Sequence, residues 1–304
     1  MPDATAQPVF STAQYQKFAL AAAVLALGFI IPLWKLLLFA VADDLHSYIP
    51  LMPLVSGYLV WTQKSKLPQR SAPARKLAAL FFVAGFAATA GYFSISRFAT
   101  PATMENSLAL STLAWLLCLT GAGCWFLGGA TMRALAFPFF LLVFMIPFPM
   151  VMREEIESWL QHGSAVAADW MFTLAGTPMM RTDMVFRLPG ISLKVAPECS
   201  GIHSTLVLFI TSLLAGQMIL RQPWKRAVLC LAVIPLALIR NGFRVFVLGE
   251  LCVHVSPKMI DSPIHHHGGP LFFVLSLVPF FLLLYFLRKT EQSGAAGQPP
   301  NSKK

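Results

Sequence analysis

The chain has 304 residues, of which 57% are hydrophobic and only 12% are charged. Charged residues make up about a quarter of an ordinary soluble domain, so this composition excludes a soluble globular enzyme with a solvated surface. In a soluble protein the net charge of +10 would indicate a nucleic-acid partner, but in a membrane protein it records which loops face the cytoplasm. No nucleic-acid partner is needed to explain it.

Apolar runs long enough to cross a bilayer, about 20 residues each, recur along the whole chain. Eight of them are predicted to be transmembrane helices, over residues 18–40, 48–61, 77–94, 108–127, 134–151, 201–220, 227–248 and 269–287. The second run is short, and Pro50 and Pro53 lie near its start. The first run is too long for a cleavable signal peptide and is expected to stay in the membrane.

The positions of the basic residues predict the orientation of these helices. With both termini in the cytoplasm, the inner segments hold 14 of the 23 Lys and Arg residues, and the outer segments hold six. Among the acidic residues only Asp3 and Glu291 lie inside. An excess of Lys and Arg marks the cytoplasmic side, so the pattern predicts a multi-pass protein of the cytoplasmic (inner) membrane.

A segment of about 50 residues, 152–200, is predicted to stay outside and to form a small cap. Apolar side chains recur at helical spacing between Ile156 and Met171, which indicates a helix lying in the outer interface. Pro189 and Gly190 separate two short runs of alternating polarity, which is typical of a hairpin. The cap then leads directly to Cys199.

The predicted fold class is an all-α polytopic membrane protein with about eight transmembrane helices and this small outer cap. Cytoplasmic tails over residues 1–17 and 288–304 flank a single transmembrane domain over residues 18–287. A competing interpretation makes residues 159–176 a ninth span. It would reverse the orientation of everything that follows and would disagree with the positive-inside pattern.

The first cluster of candidate functional residues occupies positions 197–204, at the predicted outer end of the sixth span. Cys199 lies at the start of that helix, where the positive end of the helix dipole favours the thiolate. The sequence alone leaves two other roles open for Cys199: a structural cysteine in an apolar wall, or a disulfide with Cys252. His203 follows four residues later and is a candidate base.

The second cluster lies near the outer end of the seventh span and contains Arg240, Asn241 and Arg244. Residues three and four apart share one face of a helix, so these side chains are expected to act together. A guanidinium inside a membrane needs an anionic partner or a charge that develops during a reaction. The alternative is an arginine that snorkels to the lipid headgroups, which suits Arg244 better than the deeper Arg240.

The third cluster is the run His265, His266 and His267, just before the last span and again outside. A histidine at this position can act as an acid or a base near neutral pH. Together with His254 and Asp261 the run could instead bind a metal, but adjacent ligands point in different directions, which makes the run a weak metal signal. The remaining alternative is a solvated loop.

The predicted topology brings a cysteine, arginines and a histidine to the same membrane face. A thiolate that attacks a carbonyl, an arginine that stabilises the oxyanion and a histidine that carries protons are the components of cysteine acyl transfer. This convergence of residues that are distant in sequence favours an acyl-transfer enzyme.

These residues resemble the three signatures of the exosortase/archaeosortase family of multi-span transpeptidases. The signatures are Cys-Ser-Gly at Cys199, Ser200 and Gly201, Asn-x-x-Arg at Asn241 to Arg244, and His-x-x-x-Gly at His265 to Gly269. The resemblance extends from Asp43 in the first outer loop to the final span. It is specific because the order, the spacing and the topology of the signatures agree together.

The resemblance implies a sortase-like cysteine protease and transpeptidase that acts on membrane-anchored proteins with PEP-CTERM-type sorting tails. Such a tail has a short Pro-containing motif, a hydrophobic span and a basic end. Cys199 would be the nucleophile, Arg244 the oxyanion or substrate stabiliser and His265 the acid/base. Supporting roles are expected for Asn241, Arg240, His203, His266, Ser200 and Gly201. The resemblance implies no cofactor or metal, and it leaves open which histidine is the base and whether the acceptor is a lipid or a glycan.

Three functions from other classes compete with this interpretation. An anion or proton-coupled transporter would use Arg240 and Arg244 as an ion path, but the charges cluster at one face instead of the midplane. A metal-dependent membrane hydrolase would need a helical His-x-x-x-His pair, which the sequence lacks. A non-catalytic scaffold for polysaccharide export would need none of the three clusters.

Overall fold

The computed structural model describes residues 12–68, 71–96, 101–195, 201–256, 258–259 and 269–296. The chain divides into two compact units, Met1–Arg153 and Glu154–Lys304, and each is described by itself. Almost all regular structure is helical, as the composition predicts for an all-α membrane protein. The prediction of a single transmembrane domain over residues 18–287 stays a prediction.

The first unit consists of helices of very different lengths. They are α1 (Thr12–Gly28), α2 (Ile30–Ala42), α3 (Leu51–Gln63), α4 (Arg75–Ile95), α5 (Pro101–Phe126), α6 (Gly129–Ala134) and α7 (Ala136–Leu141). Short 3-10 turns follow α2, α3 and α7, at Asp44–His46, Lys64–Lys66 and Leu142–Met145. Helices α4 and α5 pack closely at Gly85 of α4. A methyl group at this position would lie 2.6 Å from the Cys118 Sγ of α5, so the absence of a side chain allows the close approach.

The predicted first span is divided into α1 and α2, which meet at an angle of 73°. The break at Phe29 lies three residues before Pro32. Proline has no N–H to donate to the carbonyl of the fourth residue before it, Gly28, and its ring clashes with that carbonyl. A continuous straight helix over residues 18–40 is therefore wrong, although the run is as apolar as predicted.

The predicted fifth span, residues 134–151, is also broken. It contains α7, the 3-10 turn after it and a non-helical stretch that ends where α8 begins at Met150. Pro138, Pro147 and Pro149 explain the breaks, because a proline prevents helical hydrogen bonding and pushes the preceding residue into an extended conformation. Ile146, just before Pro147, has the expected extended backbone with ψ of 116°.

The second unit contains most of α8 (Met150–Ala175), a three-stranded antiparallel sheet and three further helices. The strands are β1 (Met180–Thr182), β2 (Val185–Leu188) and β3 (Ile191–Lys194), in the order β1-β2-β3. The helices are α9 (Ile202–Ile219), α10 (Pro223–His254) and α11 (Gly269–Ala296). The predicted hairpin is confirmed as β2 and β3, with Gly190 at φ +81° in the turn between them.

The sheet is part of the core of this unit, because it packs on α8 and on the last turns of α10. Phe172 of α8, Phe186 of β2 and Leu248 of α10 are buried in one cluster. Gly242 and Gly249 of α10 allow the close approach: a methyl group at Gly242 would lie 2.6 Å from the Ala167 Cβ of α8. The other face of α8 leaves Trp159 and Trp170 exposed, as an interfacial helix would.

Five of the described helices are long and apolar enough to cross a membrane, and the number rises to seven if each of two bent pairs counts as one span. These five spans lie within α4, α5, α9, α10 and α11, and they correspond to five of the predicted spans. Helix α3, with 13 residues, is too short to count. The chain is a polytopic all-α membrane protein, while the predicted number of eight spans is not reached among the described residues.

Candidate functional site

The site is built on a helical hairpin formed by α9 and α10. Only Leu220, Arg221 and Gln222 separate the two helices, so they run antiparallel. Gly201, just before α9, and Asn241 of α10 are each about 20 residues from this turn and lie side by side. Equal arm lengths thus bring together two signatures that are 40 residues apart in sequence.

Gly201 is the point of closest contact between the arms. Its backbone is left-handed, with φ of +66°, and a methyl group at its Cα would clash with both polar atoms of the Asn241 amide. Glycine adopts this conformation without the steric cost that other residues have, and it leaves space for the amide. Both the left-handed backbone at position 201 and the close Asn241 amide therefore require glycine in the Cys-Ser-Gly signature.

Arg240 connects the two arms through its guanidinium group. Its Nη2 donates to the Gly201 carbonyl at 3.3 Å, to the Thr205 hydroxyl at 3.2 Å and to the Asn241 Oδ1 at 3.1 Å. Its Nε donates to the same Asn241 oxygen at 3.2 Å. Arg240 is only 7% exposed, so the snorkelling alternative does not hold for this residue.

The Gly201 carbonyl collects hydrogen bonds from several directions. It accepts from the Thr205 backbone N–H at 2.9 Å and from the Thr205 hydroxyl at 2.7 Å. It also accepts from the Ser204 hydroxyl at 3.0 Å, in addition to Arg240. These bonds fix the start of α9 against α10.

The Nη1 nitrogen of Arg240 differs from the rest of the guanidinium. It is buried and has no hydrogen-bond partner among the described residues. The partners of Nε and Nη2 named above are all neutral oxygens. A buried cation with an unused donor is costly in apolar surroundings, which marks Arg240 as a candidate functional residue.

Arg244 lies one turn after Arg240 on α10 and is half-buried. Between them, Gly242 holds this part of α10 against α8, where a methyl group would meet the Ser164 carbonyl at 3.0 Å. This contact fixes the depth and rotation of the Asn-x-x-Arg turn. The second signature is thus held by α8 on one side and by the start of α9 on the other.

Of the predicted nucleophile and bases, the structure describes only some. His203 is exposed on α9, on a different face from Thr205, which contacts Arg240. Cys199, Ser200, His265 and His266 lie outside the described residues.

Cys252, the alternative disulfide partner, lies in a different region of α10. It is 1% exposed and belongs to the core between α8, α10 and the sheet. It follows Asn241 by 11 residues, which is about 16 Å along the helix axis. Near it, Glu250 bonds His254 at 3.0 Å and accepts from the Thr177 hydroxyl, which fastens the end of α10 to the chain after α8.

A comparison with known protein families identifies the family of this chain. The family model described as transmembrane exosortase matches residues 34–282, which is most of the chain. The chain belongs to the transmembrane exosortase family. The family resemblance is thereby confirmed, and the roles of the residues in the three signatures stay predictions. No curated protein and no solved structure matches this exosortase.

Sequence reasoning missed Thr205 as a partner of Arg240. Its hydroxyl bonds both Gly201 and Arg240, so it closes the contact between the two arms. The available signal was its position one helical turn after the signature glycine, where a hydroxyl can reach back to the carbonyl of residue i−4. That bond is common in membrane helices, which is why the spacing alone did not mark Thr205 as part of a site.

Proposed function

We propose that this exosortase is a cysteine transpeptidase that cleaves a C-terminal sorting tail and transfers the protein to an acceptor. The observation that carries the proposal is the Arg240 cluster. It anchors the Gly201 carbonyl, two residues after Cys199, beside the Asn-x-x-Arg turn of α10. A thiol on such an anchored segment, with two arginines on the neighbouring helix, has the surroundings that activate a cysteine nucleophile.

In the first chemical step the Cys199 thiolate attacks the carbonyl carbon of the cleaved peptide bond. The carbonyl oxygen becomes an oxyanion, and Arg244 is proposed to stabilise it by charge-assisted hydrogen bonds. The C–N bond then breaks, and the leaving amine takes a proton from His265. The products are a thioester on Cys199 and the released tail.

In the second step an acceptor nucleophile loses its proton to the same histidine and attacks the thioester carbonyl. The C–S bond breaks, the Cys199 thiolate is restored, and the protein is joined to the acceptor. Arg240 and Asn241 act as positioning residues in this scheme. They hold the start of α9 in place, so that the thiolate is positioned for attack in the first step and the thioester carbonyl is positioned for the acceptor in the second.

The reaction is proposed to occur at the outer face of the cytoplasmic (inner) membrane. The excess of Lys and Arg in the other loops supports this orientation. A substrate held by its own membrane span reaches the site by lateral diffusion, and no soluble intermediate is needed. A lipid or a glycan at the outer face is then the available acceptor.

Tail processing in membranes tests the proposal. A protein with a Pro-containing sorting tail is co-expressed with wild-type protein, Cys199→Ala or Cys252→Ala, and the shift in substrate size is followed on immunoblots. Processing should be lost with Cys199→Ala and retained with Cys252→Ala, because Cys252 belongs to a different core region. Several tail motifs are offered, so that at least one is processed by the wild type.

Processing that survives Cys199→Ala would exclude the transpeptidase mechanism. It would leave the transporter and scaffold functions, in which the cysteine has no chemical role. Loss of processing in both variants would instead indicate an essential Cys199–Cys252 pair, which predicts that a thiol reductant abolishes wild-type processing as well.

A further inference from the structure

The three-stranded sheet of the second unit ends in β3. The strand order is β1-β2-β3, so β3 pairs with β2 along one side. In an antiparallel ladder, residues that bond to the partner strand alternate with residues whose N–H and C=O groups point to the opposite side. We call the side of β3 that faces away from β2 the β3 edge.

The register shows which backbone groups point to the β3 edge. The Val195 N–H donates to the Met184 carbonyl at 2.9 Å, so this pair is bonded across the ladder. Two residues earlier, Leu193 therefore also bonds to β2. The backbone groups of Ser192 and Lys194 point away from β2. Both residues are exposed, and these backbone groups have no hydrogen-bond partner among the described residues.

The chemistry of the β3 edge selects an extended peptide. Ser192 and Lys194 each present one donor and one acceptor, and the two residues are about 7 Å apart along the strand. An extended backbone presents the same groups with the same repeat, so it can pair with both residues. A lipid acyl chain has neither donors nor acceptors, and a phospholipid headgroup lacks this repeat. The β3 edge is therefore suited to a peptide and not to a lipid.

The strand that carries this edge lies beside the candidate site. Leu193 and Val195 belong to one buried cluster with Val245 of α10, which directly follows Arg244. The strand and the helix are thus in contact at the Asn-x-x-Arg turn. A segment that pairs with the β3 edge binds next to a signature of the proposed reaction.

The charges around the β3 edge disfavour pairing with a second copy of this chain. Arg187 of β2 and Lys194 are exposed on the outward face of the sheet, opposite to the buried Phe186 and Leu193. None of the three strands contains an acidic residue. Two copies paired edge to edge would bring like charges onto neighbouring strands, which is unfavourable. A peptide without basic residues avoids this repulsion.

We infer that the β3 edge binds the Pro-containing segment of the substrate tail as an added strand. This inference rests on the proposed function and deepens it, because it assigns the backbone of that segment as the group that is recognised. The residue before a proline is restricted to extended conformations, so a Pro-containing segment is prepared for pairing. Proline itself is tolerated in an edge strand where its missing N–H points away from the neighbouring strand.

A backbone scan of the substrate tests the inference on the unaltered enzyme. Synthetic tail peptides, each with one N-methyl group, are cleaved by wild type in nanodiscs. The methyl group moves through successive residues before the tail span, leaving out prolines and the cleaved bond. Only every second N–H of an added strand faces β3. The rate should therefore fall about tenfold at positions two residues apart and by less than about twofold between them. Equal rates at all positions, or equal losses at adjacent positions, would overturn the inference.

A matched pair of variants tests the enzyme side. Ser192→Pro removes the N–H that points to the β3 edge, and the ladder with β2 keeps its bonds because this N–H does not belong to it. Ser192→Ala removes the hydroxyl and keeps the N–H. Tail processing should be about tenfold slower with Ser192→Pro than with Ser192→Ala, at equal amounts of folded protein. The same rate in both would contradict strand addition. If Ser192→Pro does not fold, the peptide scan decides alone.

A photo-crosslink identifies what occupies the β3 edge. In the full-length Cys199→Ala protein, p-benzoylphenylalanine replaces Lys194, and the tail substrate is co-expressed. A crosslink to the substrate is expected. The matched control places the same probe at Thr182 of β1, which is in register with Lys194 across β2 and should capture much less substrate. A crosslink from position 194 to a second copy of the chain, or to a phospholipid instead of the substrate, would overturn the inference.

The outcomes separate this inference from the proposed function. If processing survives Cys199→Ala, the mechanism fails, whatever the backbone scan shows. If processing needs Cys199 but no alternation appears along the substrate backbone, the assignment of the β3 edge alone fails.

Discussion

Helix α10 carries two buried cations, and they are used in different ways. Lys225, 3% exposed, donates to the Leu287 carbonyl at 3.2 Å and to the Thr290 hydroxyl at 2.8 Å, near the C-terminal end of α11. Arg240, fifteen residues later, bonds Gly201, Thr205 and its neighbour Asn241 with one edge of its guanidinium. Its Nη1 is buried and has no hydrogen-bond partner among the described residues.

The two buried cations differ in what they bond, although both are nearly inaccessible to solvent. The partners of Lys225 are a carbonyl and a hydroxyl of α11, and neither belongs to the candidate site. Arg240 instead bonds Gly201 and Thr205 at the start of α9, in addition to its neighbour Asn241. Burial is similar for the two side chains, so it is the partners and the unused donor that indicate function.

The largest effect is expected from Arg240→Gln. The substitution removes the charge and the bonds to Gly201 and Thr205, and a small displacement of a reacting group can reduce the rate by about 100-fold. Tail processing should therefore fall about 100-fold while the protein still inserts into the membrane. Processing rates normalised to the amount of folded protein provide the measurement, and a rate within twofold of wild type would show that Arg240 does not position the site.

A smaller loss is expected from Gly201→Ala. The new methyl group meets the Asn241 amide and forces alanine into a left-handed conformation, which costs about 1–2 kcal/mol. Processing should fall about tenfold, and thermal stability in detergent should decrease. The double variant Gly201→Ala/Asn241→Ala removes the clash, so the two stability changes should not add, whereas simple additivity would exclude the contact.

Lys225→Met should separate stability from activity. It removes two hydrogen bonds and leaves the Leu287 carbonyl and the Thr290 hydroxyl with one donor fewer, which costs about 1–3 kcal/mol. The processing rate per folded molecule should stay unchanged, because neither partner belongs to the candidate site. A selective loss of processing with intact thermal stability would reverse the roles assigned to the two cations.

The smallest effect is expected from Glu291→Gln, at the same end of α11. Glu291 accepts the backbone N–H groups of Arg221 and Gln222, at 3.0 Å and 2.9 Å, just before α10 begins. Glutamine keeps one acceptor oxygen but loses the negative charge near a helix N-terminus, so unfolding should become easier by about 0.5 kcal/mol. A thermal-shift measurement detects this change. The decrease in unfolding temperature should be larger for Lys225→Met than for Glu291→Gln.

The sequence predicted the long, uninterrupted spans well. Helices α4, α5, α9, α10 and α11 are mostly apolar over the length of a membrane span, and hydropathy detects them directly. Hydropathy did not detect the breaks near Pro32 and between Pro138 and Pro149, because a search for apolar runs counts a proline as one more residue in the run. The bend at Phe29 follows from a single missing hydrogen bond, which composition does not register.

At the candidate site the sequence indicated the right region but not the arrangement. Arg240 and Asn241 were each predicted to share a helix face with Arg244, whereas in the structure they are bonded to each other and lie against Gly201. Thr205 was not expected, because its role depends on which helices become neighbours. Periodicity gives the face of a helix, but the partner of that face follows from the short turn between α9 and α10 and from the packing of α11 on α10.

Alkylation of Cys199 tests the central claim, that Arg240 positions the nucleophile segment, without any substrate. The rate of iodoacetamide modification at Cys199 is measured at pH 7 by mass spectrometry of the digested protein, for wild type, Arg240→Gln and Lys225→Met. A cation near the thiol favours the reactive thiolate, so the account predicts a rate at least about threefold lower in Arg240→Gln and an unchanged rate in Lys225→Met. Equal rates in all three proteins, or a decrease only in Lys225→Met, would contradict it.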